Sequence, residues 1–143
     1  MHTYSFEKLE VWQLSRVLVK NIYSLTANFP VEERYGLISQ LRRASVSIGS
    51  NLAEGSTRDT NRDKAHFTKM AFGSLMELLN QLIVSTDLEF LSNEKLSTIR
   101  PKIEEIGNKL NALRNSQLNR LRGLFIGGCV YSFICLFENS MSN

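Results

Sequence analysis

The sequence predicts an all-α protein, folded as an antiparallel up-down four-helix bundle with an atypical apolar C-terminal tail. Four segments carry apolar residues three or four positions apart, which is the spacing of one helix face. The chain has only two prolines and no alternation of apolar and polar residues typical of a half-buried strand. The connections between the four segments are short, so consecutive helices are expected to be antiparallel neighbours.

The first helix is predicted over about residues 8–27. Its buried stripe is expected to contain Leu9, Trp12, Val17 or Leu18, Ile22 and Leu25. Pro30 suits the first turn of a following helix, because its missing N–H would be unpaired there. Glu32 and Glu33 would then lie near the positive end of helix two, where the helix dipole favours anions.

Helix two, expected to end near Ala53, is the segment around which the bundle is organised. Serine, alanine and glycine cover much of its surface between residues 40 and 55, so neighbouring helices can approach it closely. Gly55 is predicted to end this helix in the left-handed conformation. The apolar face consists of Leu41, Ala44, Ile48 and Leu52.

Helix three is predicted over about residues 61–88, and Thr60 with Asp63 forms a capping box at its start. Gly73 thins the helix at mid-length, and we expect a close approach to helix two there. The inner face is expected to contain Phe67, Met70, Ala71, Ser74, Leu75, Leu78, Leu82 and Val84 or Ser85.

Helix four is predicted to begin near Asn93. Pro101 removes a helical hydrogen bond, which predicts a kink or a break near residues 98–100. The apolar stripe of this helix is Leu96, Ile99, Ile103, Ile106, Leu110 and Leu113.

The C-terminal tail differs from the amphipathic helices before it. Residues 123–137 carry no charge, and as a helix they would span roughly 22 Å, less than a bilayer core of about 30 Å. A membrane-spanning helix is therefore disfavoured. The alternatives are an interfacial segment, a segment buried against a partner, and a strand-like or irregular piece. We favour an extension without function. We divide the chain into a bundle domain, residues 1–122, and an apolar extension, residues 123–143.

Composition leaves the partner open. The net charge of +3 permits a nucleic-acid partner but does not require one. Cys129 and Cys135 form neither a disulfide framework nor a zinc motif, which favours a reducing cytoplasm. The N-terminus carries early acidic residues and no apolar core, so no signal peptide is expected.

Four motifs point to a known family. QLRRASVSIGSNLAEG at residues 40–55 occurs with FEKLEVWQ at 6–13, FP and ERYGL within 29–37, and GSLMEL at 73–78. Together they resemble the bacterial four-helix bundle proteins encoded in intervening sequences of 23S ribosomal RNA genes and at other genomic positions. That family is similar to the accessory variability protein of diversity-generating retroelements. The resemblance, over about residues 5–116, implies an antiparallel bundle assembled into a ring, a pentamer, and suggests nucleic-acid binding.

Cations gather in two parts of the sequence. Between residues 34 and 69 there are seven cations and three anions, and an acid-free basic run closes helix four. An antiparallel bundle brings the loop between helices two and three close to the end of helix four. The predicted nucleic-acid surface comprises Arg42, Arg43, Arg58, Arg62, Lys64, Lys109, Arg114, Arg120 and Arg122. The alternative is that these cations are ordinary solvated residues, favoured at helix C-termini by the dipole.

A structural role competes for some of the polar residues. Folding helix three back on helix two places Glu77 near Arg43, where a half-buried ion pair would fix the register of the two helices. Asn51 and Glu54 are expected to bond to the start of helix three or to a neighbouring subunit.

No residue pattern predicts catalysis, a cofactor or a metal. Asp63 and His66 form one carboxylate–histidine pair, whereas di-iron bundles use two such motifs and further glutamates. Trp12 is either a stacking platform for a base or, as we favour, a core residue.

The leading hypothesis is a non-enzymatic oligomer that binds nucleic acid. The alternative is a scaffold that binds another protein, such as a polymerase, and touches nucleic acid only indirectly.

Overall fold

The structure, a computed structural model, describes the backbone of residues 2–138 and the side chains of residues 2–119. Four helices follow one another, no strand occurs in residues 2–138, and the predicted all-α four-helix bundle is confirmed. Each helix packs against the next, and the fourth returns to the first. The helices are α1 (Glu10–Thr26), α2 (Leu37–Ser56), α3 (Asn61–Asp87) and α4 (Asn93–Glu138), with short 3-10 turns at Ser5–Lys8 and Val31–Arg34.

The core follows the predicted stripes. All four apolar residues of the α2 stripe are almost fully buried, and Leu18 rather than Val17 faces inward from α1. On α3, Ser85 is buried and Val84 is exposed, whereas Met70 lies on the surface, contrary to the prediction. The largest fully buried apolar side chains are Leu18, Ile22, Leu41, Ile48, Leu75, Leu78, Leu82, Ile103, Ile106 and Leu110.

Helix two begins later than predicted. Val31–Arg34 forms a separate 3-10 turn, and α2 starts only at Leu37. The Glu33 carboxylate accepts a hydrogen bond from the backbone N–H of Leu37 over 2.9 Å. Glu33 therefore satisfies one of the free amides at the helix start from outside the helix, rather than within its first turn.

Two predictions about glycine were wrong. Gly55 does not adopt the left-handed conformation: it lies inside α2, which continues to Ser56. A Cβ built on Gly55 would lie 2.7 Å from the Cβ of Phe67, so α2 and α3 approach each other closely here. Gly73 is exposed, and a Cβ there would meet nothing within 4 Å.

The fourth helix runs without a break through Pro101, so of the predicted kink or break near residues 98–100 the break is absent. The helix starts at Asn93 as predicted. The apolar extension has a helical backbone to Glu138, which contradicts a strand-like piece there, and its side chains lie outside the described residues. Within the described part of the chain, every helix is too short or too polar to cross a bilayer.

Candidate nucleic-acid interface

One end of the bundle is built by the turn before α1, the end of α2, the start of α3 and the middle of α4. The Thr68 hydroxyl of α3 donates a hydrogen bond to Oε1 of Gln117 on α4 over 3.0 Å. A cleft of about 340 Å³ opens at this end. It is lined by Ser5, Phe6, Leu9, Ser56, Asn61, Lys64, Leu113, Ser116 and Gln117. The α2–α3 loop therefore lies near α4 as predicted, but near the middle of the helix rather than its end, because α4 continues to Glu138.

Three predicted cations lie on the helices that build this end. Lys64 is half-buried and lines the cleft, whereas Arg62, exposed in the first turn of α3, and Arg114, half-buried on α4, are not among its lining residues. We call Arg62, Lys64 and Arg114 the basic end. Among residues 2–119, none of these three cations forms a salt bridge.

The acidic residues nearby are mostly engaged by the chain itself. The Asp63 backbone N–H donates to the Thr60 hydroxyl over 3.0 Å, so Thr60 caps α3. The Asp63 carboxylate accepts from that hydroxyl over 2.6 Å rather than from the Thr60 backbone N–H, so the predicted capping box is only half formed. Glu54 pairs with Arg58 over 2.5 Å. Glu54 is therefore engaged by a cation of its own loop and Asp63 by a hydroxyl, while Asp59 of the same loop is exposed.

Arg58 has a largely internal role. Besides pairing with Glu54, its guanidinium lies 4.5 Å from the centre of the Phe67 ring. A cation over an aromatic face is a stabilising contact. The side chain therefore fastens the α2–α3 loop onto α3 and is less available to a ligand than Arg62.

The other predicted cations are not gathered here. Lys109 forms a 2.9 Å ion pair with Glu10 and joins α4 to α1. Arg120 and Arg122 belong to α4, and their side chains lie outside the described residues.

Arg42 and Arg43 lie in the other half of α2, roughly 20 Å along the helix axis from the loop. The predicted Arg43–Glu77 pair is confirmed at 2.5 Å, although the Arg43 side chain is 61% exposed rather than half-buried. The Arg42 Nε donates to the Thr26 hydroxyl over 3.0 Å, and its guanidinium lies 4.6 Å from the Tyr23 ring centre. Both arginines therefore connect helices.

The predicted bonds of Asn51 and Glu54 to the start of helix three are absent. Asn51 is buried and donates to the carbonyl and hydroxyl oxygens of Ser47, one turn earlier in α2. Besides the Arg43–Glu77 pair, α2 and α3 are linked by Ser74, which donates to the Ser47 hydroxyl over 3.0 Å.

Sequence reasoning missed the aromatic residues beside the basic end. The Tyr4 and Phe6 rings are stacked 6.1 Å apart, and Phe6 meets Trp12 edge to face at 5.1 Å. Trp12 packs against the core but is only half-buried, so the prediction that it is a core residue holds in part. The sequence feature that could have predicted this cluster is the high density of aromatic residues between positions 4 and 12.

The Asp63–His66 pair does not grow into a metal site. Asp63 is committed to the helix cap, while His66 is exposed and lies against the neighbouring Phe67 ring. Among the residues that the structure describes, no three His, Cys, Asp or Glu side chains gather as a metal-binding group.

Comparison with known proteins identifies the family. No curated protein matches this chain. Its fold is similar to the crystal structure of a protein of unknown function from the S23 ribosomal protein family of Bacteroides thetaiotaomicron, with a TM-score of 0.63 and 21% identity, covering 73% of this chain and 97% of that one. At this identity the similarity shows the fold alone. The sequence profile described as 23S rRNA-intervening sequence protein matches residues 7–112, most of the chain, and the protein therefore belongs to the 23S rRNA-intervening sequence protein family.

Proposed function

We propose that this protein is a non-enzymatic, oligomeric four-helix bundle that binds RNA or DNA through its basic end. The observation that supports the proposal is that Lys64 lines an open cleft and that Arg62 and Arg114 lie on the same two helices, with no salt bridge to any of the three among residues 2–119. Phosphate groups neutralised by lysine and arginine release counterions, and this release drives binding at low salt. Such a protein would act in the cytoplasm.

Assembly would multiply this small set of charges. We place the contact between copies on the outer surface of α3 beside α2, formed by Met70 and Gly73, which we call the α2–α3 face. Met70 is 44% exposed, and Gly73 is small enough to let another helix approach. Several basic ends held in one assembly bind a polyanion more tightly than one does.

Charge removal tests the proposal. We expect the variant Arg62→Ala/Lys64→Ala to bind structured RNA and duplex DNA more weakly and to lower the slope of log affinity against log salt by about 2 per contacting subunit. Fluorescence anisotropy between about 50 and 200 mM salt measures both quantities, a range over which phosphate-mediated binding weakens strongly.

The matched control is Lys95→Ala/Lys102→Ala, which removes two exposed lysines near the opposite end, where they line a cleft between α1 and α4. It should leave the slope nearly unchanged. Absence of binding by the unaltered protein at low salt would overturn the proposal, and an equal loss in both variants would show that the charges act without regard to position.

A second candidate is a scaffold that binds another protein. The end opposite the basic end carries three exposed apolar side chains, Val31, Tyr35 and Leu88, on two loops joined by the 6.0 Å contact of the Phe29 and Phe90 rings. Exposed apolar groups of this kind favour a protein partner. A defined partner that remains bound after nuclease treatment and is released by Tyr35→Ser would support this function.

A further inference from the structure

A row of aromatic rings runs from the N-terminal turn onto α1. His2 meets Tyr4 edge to face at 5.1 Å, the Tyr4 and Phe6 rings are stacked within 13° of parallel, and Phe6 meets Trp12. The Arg16 guanidinium lies 5.0 Å from the centre of the Trp12 ring. Tyr4 is 61% exposed, while Phe6 and Trp12 are half-buried, so the row is partly open to solvent. We call Tyr4, Phe6 and Trp12 the aromatic row.

An open groove follows the aromatic row between α1 and α2. Its volume is about 450 Å³. The α2 wall is formed by small or apolar side chains and the α1 wall by Trp12, Arg16 and Lys20. A Cβ on Gly49 would lie 3.3 Å from the Ser15 hydroxyl and 3.5 Å from Nε1 of Trp12, so the missing side chain allows α2 to lie close beneath the indole.

The charge along the groove favours an anion. Arg16 and Lys20 are exposed, and neither pairs with a carboxylate among residues 2–119. The closest acids in sequence are already engaged. Glu7 accepts the backbone N–H of Tyr4 over 2.9 Å, and Glu10 pairs with Lys109. Aromatic rings and two cations without a salt bridge therefore share one surface.

The groove is continuous with the basic end through Phe6. This side chain lines both the groove between α1 and α2 and the cleft that contains Lys64. A flexible polyanion lying on Lys64 could therefore continue across Phe6 and Trp12 to Arg16 without leaving the protein surface.

We propose that the ligand is single-stranded nucleic acid, with bases stacked on the aromatic row and phosphates at Lys64, Arg16 and Lys20. This inference rests on the proposed function and names its ligand. The bases of a duplex are stacked on one another and offer no free face to the aromatic row, whereas those of a single strand do. Stacking on aromatic side chains combined with a basic groove is the pattern that binds single strands without sequence preference.

The test uses the full chain, a fluorescein-labelled single-stranded DNA of mixed sequence, and the blunt duplex of the same sequence. Trp12 is the only tryptophan, so its emission reports on a base that arrives beside it. We expect the unlabelled single strand to quench Trp12 emission, and the duplex to bind more weakly and quench little.

The variant Tyr4→Leu/Phe6→Leu keeps apolar bulk and removes two rings. It should weaken single-strand binding by at least about fivefold for each stacked base lost, while the salt slope stays the same because no charge changes. Circular dichroism confirms that the helices are intact, and Tyr4→Leu alone, at an exposed site, is the second variant. The matched control is Tyr35→Leu, a 90% exposed ring at the opposite end, which should leave affinity unchanged.

The possible results separate this inference from the proposed function. Absence of binding by either form of DNA and by structured RNA at low salt overturns both. Equal or stronger binding of the duplex, with no effect of Tyr4→Leu/Phe6→Leu, overturns only the single-strand inference and leaves the basic end as the binding surface. Loss of affinity in that variant together with loss of Trp12 quenching supports the aromatic row.

Discussion

Gly55 shows how a single missing side chain sets the distance between two helices. In sequence, a glycine after an alanine–glutamate pair at the end of an apolar pattern has the signature of a helix terminator. In the structure it lies within α2, buried against Phe67. A glycine that ends a helix and a glycine inside a helix can have the same local sequence. What differs between them is whether another helix packs on the glycine, and the local sequence does not encode this packing.

Substitution of the two glycines should shift stability in opposite directions. Gly55→Ala forces a Cβ to within 2.7 Å of Phe67, and we expect a net loss of about 1–2 kcal/mol in the free energy of unfolding, after the gain in helix propensity. Gly73→Ala is the control at an exposed position with open space, and should gain about 0.5–1 kcal/mol. Urea unfolding at matched protein concentration measures both. A stabilised Gly55→Ala would contradict the close approach.

At the scale of an element, α4 contrasts with the other helices because it contains a proline in its interior. Pro101 has no N–H to donate to the carbonyl of Ser97. The helix nevertheless continues, since Ile99, Ile103 and Ile106 on either side are buried in the core. Apolar burial on one face of the helix outweighs the lost hydrogen bond on the exposed side where Pro101 lies.

Replacing this proline should therefore stabilise the helix. We expect Pro101→Ala to raise the free energy of unfolding by about 1–3 kcal/mol, because it restores a backbone hydrogen bond and removes a clash with the preceding turn. Arg100→Ala, at the exposed neighbouring position, should change stability by less than about 0.5 kcal/mol. Thermal unfolding followed by circular dichroism compares them. No gain for Pro101→Ala would mean that α4 already accommodates the proline at no cost.

Features that depend on one helix, such as its buried face and its cap, were predictable from the sequence. Contacts that depend on how two helices pack together were less predictable. The stripes of α2 and α4 follow from apolar spacing alone, and the Thr60 cap from local chemistry. The stacking of Arg42 on Tyr23 depends on the rotation of α1 relative to α2, which no local pattern contains. The same holds for the surface position of Met70 and for the Lys109–Glu10 pair.

At the scale of the whole molecule, the candidate site was predicted only in outline. Short connections between an even number of helices were enough to bring the α2–α3 loop to α4. They did not reveal that the turn at Ser5–Lys8 lies at the same end and adds aromatic rings to it. That turn packs on α1 and α2 through tertiary contacts rather than as part of a regular helix.

At this scale we predict that the protein assembles into an oligomer. We expect light scattering of the full chain to give a multiple of 16.3 kDa, five copies if the ring implied by the resemblance forms. Met70→Glu should lower the mass, because it places a charge on the α2–α3 face. Val17→Glu adds the same charge at a similarly exposed position on α1 and should not. A monomer at all concentrations, or equal effects of the two variants, would contradict this interface.

The shared location of Ser5, Phe6 and Gln117 has a practical consequence. The N-terminal turn lies at this pole, so a purification tag or fluorescent fusion joined to the N-terminus would crowd Lys64 and the adjacent cleft. Helix α4 instead continues to Glu138, roughly 30 Å beyond Gln117, so a fusion joined there lies away from the cleft. For nucleic-acid assays, reporters are also better inserted at the far pole, in the connections around Tyr35 or Leu88, both well exposed. An apparent failure to capture a nucleic acid with an N-terminally tagged protein would then reflect obstruction by the tag rather than the chemistry of the surface.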